Sequence, residues 1–124
     1  MQCRGIRGAT TVEANTREDI LEATRELLLK MVEANGIEVE DIASVMFTLS
    51  PDLNAEFPAM GARQLGWLNT ALLCATEIDV PNGLYKCLRI MILCNTEKSA
   101  DEIKHVYIRG ATYLRPDVSE VKKD

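Results

Sequence analysis

The chain has 124 residues, a net charge of −5, 47% hydrophobic residues and 27% charged residues. That length makes one domain with a real core, and the acidic balance argues against nucleic acid or an anionic membrane as partner. No apolar run reaches membrane-spanning length, and residues 1–11 lack the apolar core of a signal peptide, so a cytoplasmic location is expected.

In chain order, residues 2–12 alternate and predict a strand, with Cys3, Gly5, Arg7 and Ala9 on one face and Arg4, Ile6 and Gly8 on the other. Gly5 and Gly8 mark either a bulge or a close crossing. Thr16 is a good N-cap, acids follow it, and Ile20, Thr24, Leu27, Leu28 and Met31 recur at helical spacing up to the stop at Asn35-Gly36. This predicts one long helix over about 17–35. Residues 43–49 read as a second strand, ended by Ser50-Pro51-Asp52. Pro58 and Gly66 bracket a short helix over 58–65, residues 71–74 form a short strand, and Ser99-Ala100-Asp101-Glu102 is a capping-box pattern. Residues 105–114 alternate again, with Val106, Ile108 and Leu114 toward the core and His105, Tyr107 and Arg109 opposite. Arg115-Pro116-Asp117 ends the strand, and a polar tail follows over 118–124.

The stretch Cys74 to Cys94 reads as a short strand, a turn at Pro81-Asn82-Gly83 and a long apolar strand from Tyr85. Leu88, Ile90 and Ile92 hold one face of that strand; Cys87, Arg89, Met91 and Leu93 share the other. With both faces apolar, a central strand covered on both sides is expected. Arg89 keeps its charge there and needs an anionic partner. Glu77 is the nearest in sequence, so an internal Arg89–Glu77 pair and a bound anionic ligand both answer the requirement.

About five strands, one long helix and short helices, without regular crossover helices, predict an α+β fold with a mixed sheet. One long helix covers only one face, so self-association is the simplest cover for the other. The four cysteines form no C-x-x-C pair and there is one histidine, so neither a metal nor another cofactor is expected. There is no Gly-rich phosphate loop and no G-x-S-x-G. Arginines, a carboxylate, a tyrosine and a thiol suit binding a small polyanion and stabilising charge.

The N-terminal Arg4-Gly5-Ile6-Arg7-Gly8-Ala9-Thr10-Thr11-Val12 resembles the signature of the monofunctional, trimeric chorismate mutases of the AroH class. So do Pro51-Asp52-Leu53, Phe57-Pro58-Ala59, Arg63, Cys74-x-x-Glu77-x-Asp79-Val80, Gly83-Leu84-x-Lys86-Cys87-Leu88-Arg89, His105-Val106-Tyr107 and Leu114-Arg115-Pro116-Asp117. Each motif is weak alone; the ordered set, spanning residues 2–118, is specific. The resemblance implies a single domain over 1–118 with a tail over 119–124. It implies a five-stranded mixed sheet with one long helix, assembled as a homotrimer (a pseudo α/β-barrel) with sites between subunits.

The implied reaction is the pericyclic rearrangement of chorismate to prephenate, in which no proton moves and no nucleophile attacks. By the same resemblance, Arg89 donates to the ether oxygen and touches a carboxylate, Arg7 and Tyr107 clamp the side-chain carboxylate, and Glu77 accepts from the ring hydroxyl with Cys74 beside it. Phe57, Ala59, Leu72 and Leu73 line the neighbour's wall, Arg63 stands at the mouth, and Leu114 and Arg115 close the C-terminal side. Met60 stands where some members of the family carry a lysine. Two other readings use the same arginines: a trimeric enamine/imine deaminase, and a module that binds an anionic metabolite without turning it over.

Overall fold

The structure, a computed structural model, describes residues 1–114. Its long helix, α1, spans Arg17–Asn35. Thr16 caps it, its hydroxyl accepting the Asp19 N–H at 3.2 Å, and Glu18 and Asp19 put negative charge at the positive end of the helix dipole. Gly36 ends it at φ 59°, ψ 38°, a left-handed conformation that costs glycine nothing. Ile20, Leu27, Leu28 and Met31 are fully buried on one face of the helix, where 3.6-residue periodicity places them.

The strands are β1 (Gln2–Thr11), β2 (Ile42–Leu49), β3 (Ala71–Thr76), β4 (Cys87–Thr96) and β5 (Val106–Tyr107), and a short helix α2 spans Ala59–Gln64. They form one sheet in the order β3-β2-β4-β1-β5. The long strand β4 is central and antiparallel to both β1 and β2, while β3 and β5 run parallel to their neighbours at the two edges. The expected mixed sheet is therefore present.

Period-two alternation divides the sheet into two unlike faces. Ile6, Val45, Phe47, Leu88, Ile90 and Ile92 point into the core beneath α1. The crossing is close at Gly8: a Cβ there would lie 2.4 Å from Met31 Sδ, so this glycine marks a close crossing between strand and helix. The other face is largely open in the single chain. Met46, Leu73, Met91 and Leu93 are 46%, 59%, 37% and 38% exposed on it. Among the described residues, cover is found at its β5 end, from a small cluster of Ala9, Tyr107 and Ala111 with Leu84 and Leu114 against them. The expected cover on both faces of β4 is thus found on one.

Two stretches differ from the sequence reading. The last strand is only Val106–Tyr107 rather than 105–114, and a 3-10 turn over Arg109–Tyr113 replaces its continuation. Arg109 takes φ 53°, which breaks the alternation. Its guanidinium turns to α1 and donates twice to the Glu26 carboxylate, at 2.9 Å each. Arg109 therefore does not share a face with Tyr107, and Leu114 packs on the small cluster rather than in the main core, where Val106 and Ile108 do lie. Strand β4 begins at Cys87 rather than Tyr85, because Lys86 has φ 51°. Arg115 and the expected tail lie outside the described residues.

Candidate active site

Arg89 sits in the middle of the open face. Its strand partners are Thr48 on β2 and Ala9 on β1. Extending those pairings gives a cross-strand row Ala75–Thr48–Arg89–Ala9–Tyr107, and the adjacent row reads Leu73–Met46–Met91–Arg7. Residues directly opposite on one face lie within side-chain reach. The sheet register thus gathers Arg7, Arg89 and Tyr107 from three different strands. They line one depression of about 170 Å³ together with Met46, Thr48 and Met91.

The same arginine borders a second cavity, of about 490 Å³, with Asp52, Glu77, Asp79, Leu84 and Cys87. Glu77 stands one residue past β3, and its N–H continues the parallel ladder by donating to Leu49 O at 2.8 Å. Its Oε1 lies 3.6 Å from Arg89 Nε and accepts the Thr48 hydroxyl at 2.7 Å. Arg89 and Glu77 are thus in ionic contact without a hydrogen bond between them. Arg89 Nε is buried and, among the described residues, has no hydrogen-bond partner. A buried guanidinium N–H left unpaired is costly, and the side chain that carries it borders both cavities.

The surrounding backbone is pinned. Cys87, two residues before Arg89, donates its N–H to Ser50 Oγ and accepts the Ser50 N–H, both at 2.9 Å, and Asp52 Oδ2 accepts the Lys86 N–H at 2.9 Å. The Cys87 thiol is pushed up by burial, opposed by the Arg89 charge and hydrogen bond. On the other side, Arg7 N–H donates to His105 Nδ1 at 3.0 Å. The buried Asn35 side chain bonds to Lys104 N–H and C=O at 2.8 and 2.9 Å, tying the end of α1 to the segment that carries Tyr107.

The remaining expected site residues gather elsewhere. Cys74 and Phe57 line a third cavity of about 340 Å³ with Leu53 and Pro58. The Cys74 thiol is pushed up by burial, opposed by the Ala59 backbone N–H and the Arg63 charge. Phe57 is 69% exposed and Ala59 only 5%. Leu72 and Leu73 point to opposite faces: Leu73 lies on the open one, Leu72 packs against the main core. Within one chain, therefore, Arg7, Glu77, Arg89 and Tyr107 form one group, and Phe57, Ala59, Arg63 and Cys74 form another. Thr48, which reaches both Glu77 and the Arg7 depression, is the residue that sequence reasoning missed. Strand alternation could have put it on the Arg89 face only if the β2–β4 register had been visible.

Two arginines in adjacent rows of an open sheet face, with a carboxylate 3.6 Å from one of them, form a candidate binding site for a small anion. The family described as chorismate mutase type I matches residues 3–118. Chorismate mutase AroH of Thermus thermophilus is 51% identical over 120 residues, 96% of this chain and 98% of that protein. Chorismate mutase AroH of Bacillus subtilis (strain 168) is 46% identical over 123 residues, 98% of this chain and 97% of the relative. Among solved structures, a chorismate mutase from Clostridium thermocellum superposes with a TM-score of 0.88 at 53% identity, covering 89% of this chain and 98% of the other. The chain belongs to the chorismate mutase type I family. Its activity is that of a chorismate mutase, an isomerase.

Proposed function

We propose that residues 1–118 form one catalytic domain, with a tail over 119–124, that rearranges chorismate to prephenate in the cytoplasm, on the route to phenylalanine and tyrosine. The sites lie between subunits of a homotrimer. Arg7, Glu77, Arg89 and Tyr107 come from one subunit, and Phe57, Ala59, Arg63, Leu73 and Cys74 come from its neighbour. Leu72 backs that wall, and Leu114 and Arg115 close the C-terminal side.

The reaction breaks an ether C–O bond as a C–C bond forms, so the residues must hold a folded conformer and stabilise charge on the ether oxygen. Arg7 and Tyr107 grip the side-chain carboxylate and Glu77 accepts from the ring hydroxyl, which together fix the conformer. Arg89 donates to the ether oxygen as its negative charge grows, a contribution of about 2.7–4 kcal/mol by analogy with a single oxyanion donor. Met60 brings no charge to the wall, so Arg63 is the cation left there.

The observation that carries this reading is the buried, unpartnered Arg89 Nε between the Arg7–Tyr107 depression and Glu77. Shared sites are favoured by the separation of the two residue groups within one chain and by the exposed apolar residues of the open face, a patch of the kind that marks an interface. The purified protein, given chorismate without cofactor or metal, is expected to remove its near-ultraviolet absorbance far faster than the spontaneous reaction; a rate equal to the spontaneous one refutes the reading. Activity followed together with sedimentation on serial dilution is expected to vanish as the assembly dissociates. A fully active monomer refutes the shared site.

A further inference from the structure

We propose that Thr48 is a positioning residue for Glu77, holding that carboxylate at its working distance from Arg89. The inference rests on the reading that Glu77 faces the substrate hydroxyl. Glu77 has two donors within reach, the Thr48 hydroxyl at 2.7 Å and Arg89 Nε at 3.6 Å. A carboxylate beside a guanidinium ordinarily closes to a charge-assisted hydrogen bond of about 2.7–2.9 Å. Here Oε1 is bonded to Thr48 and stops short of that contact. The sheet fixes the arrangement: Thr48 pairs with Arg89 on one side and Ala75 on the other, so it stands between the strand carrying the arginine and the one leading to the acid.

Two things follow from the hydroxyl. Arg89 closes no hydrogen bond onto Glu77, so its partly exposed guanidinium stays available to the oxygens of the substrate from the cavities it lines. Glu77 is kept from closing a hydrogen bond onto the guanidinium in the empty site, a contact that each binding event would have to undo. Thr48 lines the Arg7–Arg89–Tyr107 depression while bonding to an acid of the adjoining cavity, and so couples the two halves of the site.

Thr48→Val keeps the β-branched shape and removes only the donor; Thr48→Ser keeps the donor. Thr48→Val is expected to lower kcat/KM by about tenfold, the lower end of what a hydrogen bond to a charged group is worth. Thr48→Ser is expected to restore most of it, with both melting temperatures near that of the parent. In a Glu77→Gln background, Thr48→Val is expected to cost less than about twofold, because a residue acting only through Glu77 has nothing left to position.

An unchanged kcat/KM in Thr48→Val while Glu77→Gln is impaired overturns the inference and leaves the site reading intact. An undiminished loss in the Glu77→Gln background overturns it as well, since Thr48 would then act independently. Full activity in Glu77→Gln removes Glu77 from the site and overturns the reading and the inference together.

Discussion

Replacing Arg89 with lysine separates what its charge does from what its shape does. Lysine keeps one positive charge on a flexible stem but cannot present a planar fork of donors. Arg89 lies in the central strand between Thr48 and Ala9, with Nε buried and the side chain as a whole 43% exposed, so its terminal nitrogens reach the open cavities while Nε points at Glu77. A lysine at the same Cα can meet one acceptor with its ammonium and has no Nε–H to offer another. If the lost donor is the one that meets the ether oxygen, the barrier rises by about 2.7–4 kcal/mol and kcat falls by about 10²–10³.

The fold should barely notice this change. The pair with Glu77 is 3.6 Å long, with side chains 43% and 34% exposed, and such partly solvated pairs contribute about 0–1 kcal/mol. Lysine also removes the unpartnered Nε, which offsets part of that loss. Steady-state kinetics with chorismate and thermal unfolding of the same preparation measure the two quantities separately. A folded Arg89→Lys variant with kcat within about threefold of the parent, less than 0.7 kcal/mol of barrier, would refute the assignment of Arg89 to the reacting oxygen.

Other substitutions probe the remaining contacts. Gly8→Ala puts a Cβ 2.4 Å from Met31 Sδ and is expected to destabilise the fold by about 1–3 kcal/mol; an unchanged denaturant midpoint would mean that the buried Met31 side chain can give way at no cost. Cys74→Ala is expected to lower kcat/KM by less than about tenfold, the loss of one neutral hydrogen bond, and a loss as large as that of Arg89→Lys would give the thiol a larger part. Arg109, chiefly through its hydrogen bonds, holds the Glu26 carboxyl below its ordinary value of 4.5, so the pair stabilises the fold above that pH and the benefit fades as pH falls through the depressed value. Glu26→Gln is therefore expected to melt below the parent at neutral pH, by under about 1 kcal/mol because the pair is partly solvated. That gap should close in acid, and one that stays constant into strong acid would exclude the pair as its source.

What could be read from the sequence was local. Thr16 and Gly36 announce the ends of α1 because their chemistry acts within three or four residues, and alternation over 2–12 and 87–94 needs no partner to be recognised. The end of β5 was hidden for the opposite reason. His105 to Leu114 alternates on paper, but Arg109 leaves the extended conformation while bonding to Glu26 on α1, 83 residues away. Arg89 could be singled out because a charge in an apolar strand demands an explanation wherever it occurs. Thr48 could not, since threonine in a strand is unremarkable until the β2–β4 register sets it opposite Arg89 and the end of β3 brings Glu77 to it.

The open face joins two features that would be liabilities apart. Exposed Met46, Leu73, Met91 and Leu93 favour covering it, whereas a guanidinium with a buried, unpaired Nε disfavours covering it with apolar protein. Burying Arg89 against such a surface would leave its charge balanced only by the 3.6 Å contact with Glu77 and its Nε without a hydrogen bond, which is costly. The two demands are compatible only if the cover seals around Arg89 and leaves a gap that an anion can fill. Such a surface would make the interface and the binding site in one step. In the proposed assembly the apolar side chains would hold the neighbour, and Arg89 would keep it from closing completely. An interface variant that still assembled but filled that gap would then lose activity at unchanged oligomeric state, and a polar variant of Leu93, beyond the site rows, would lose activity only in proportion to lost assembly.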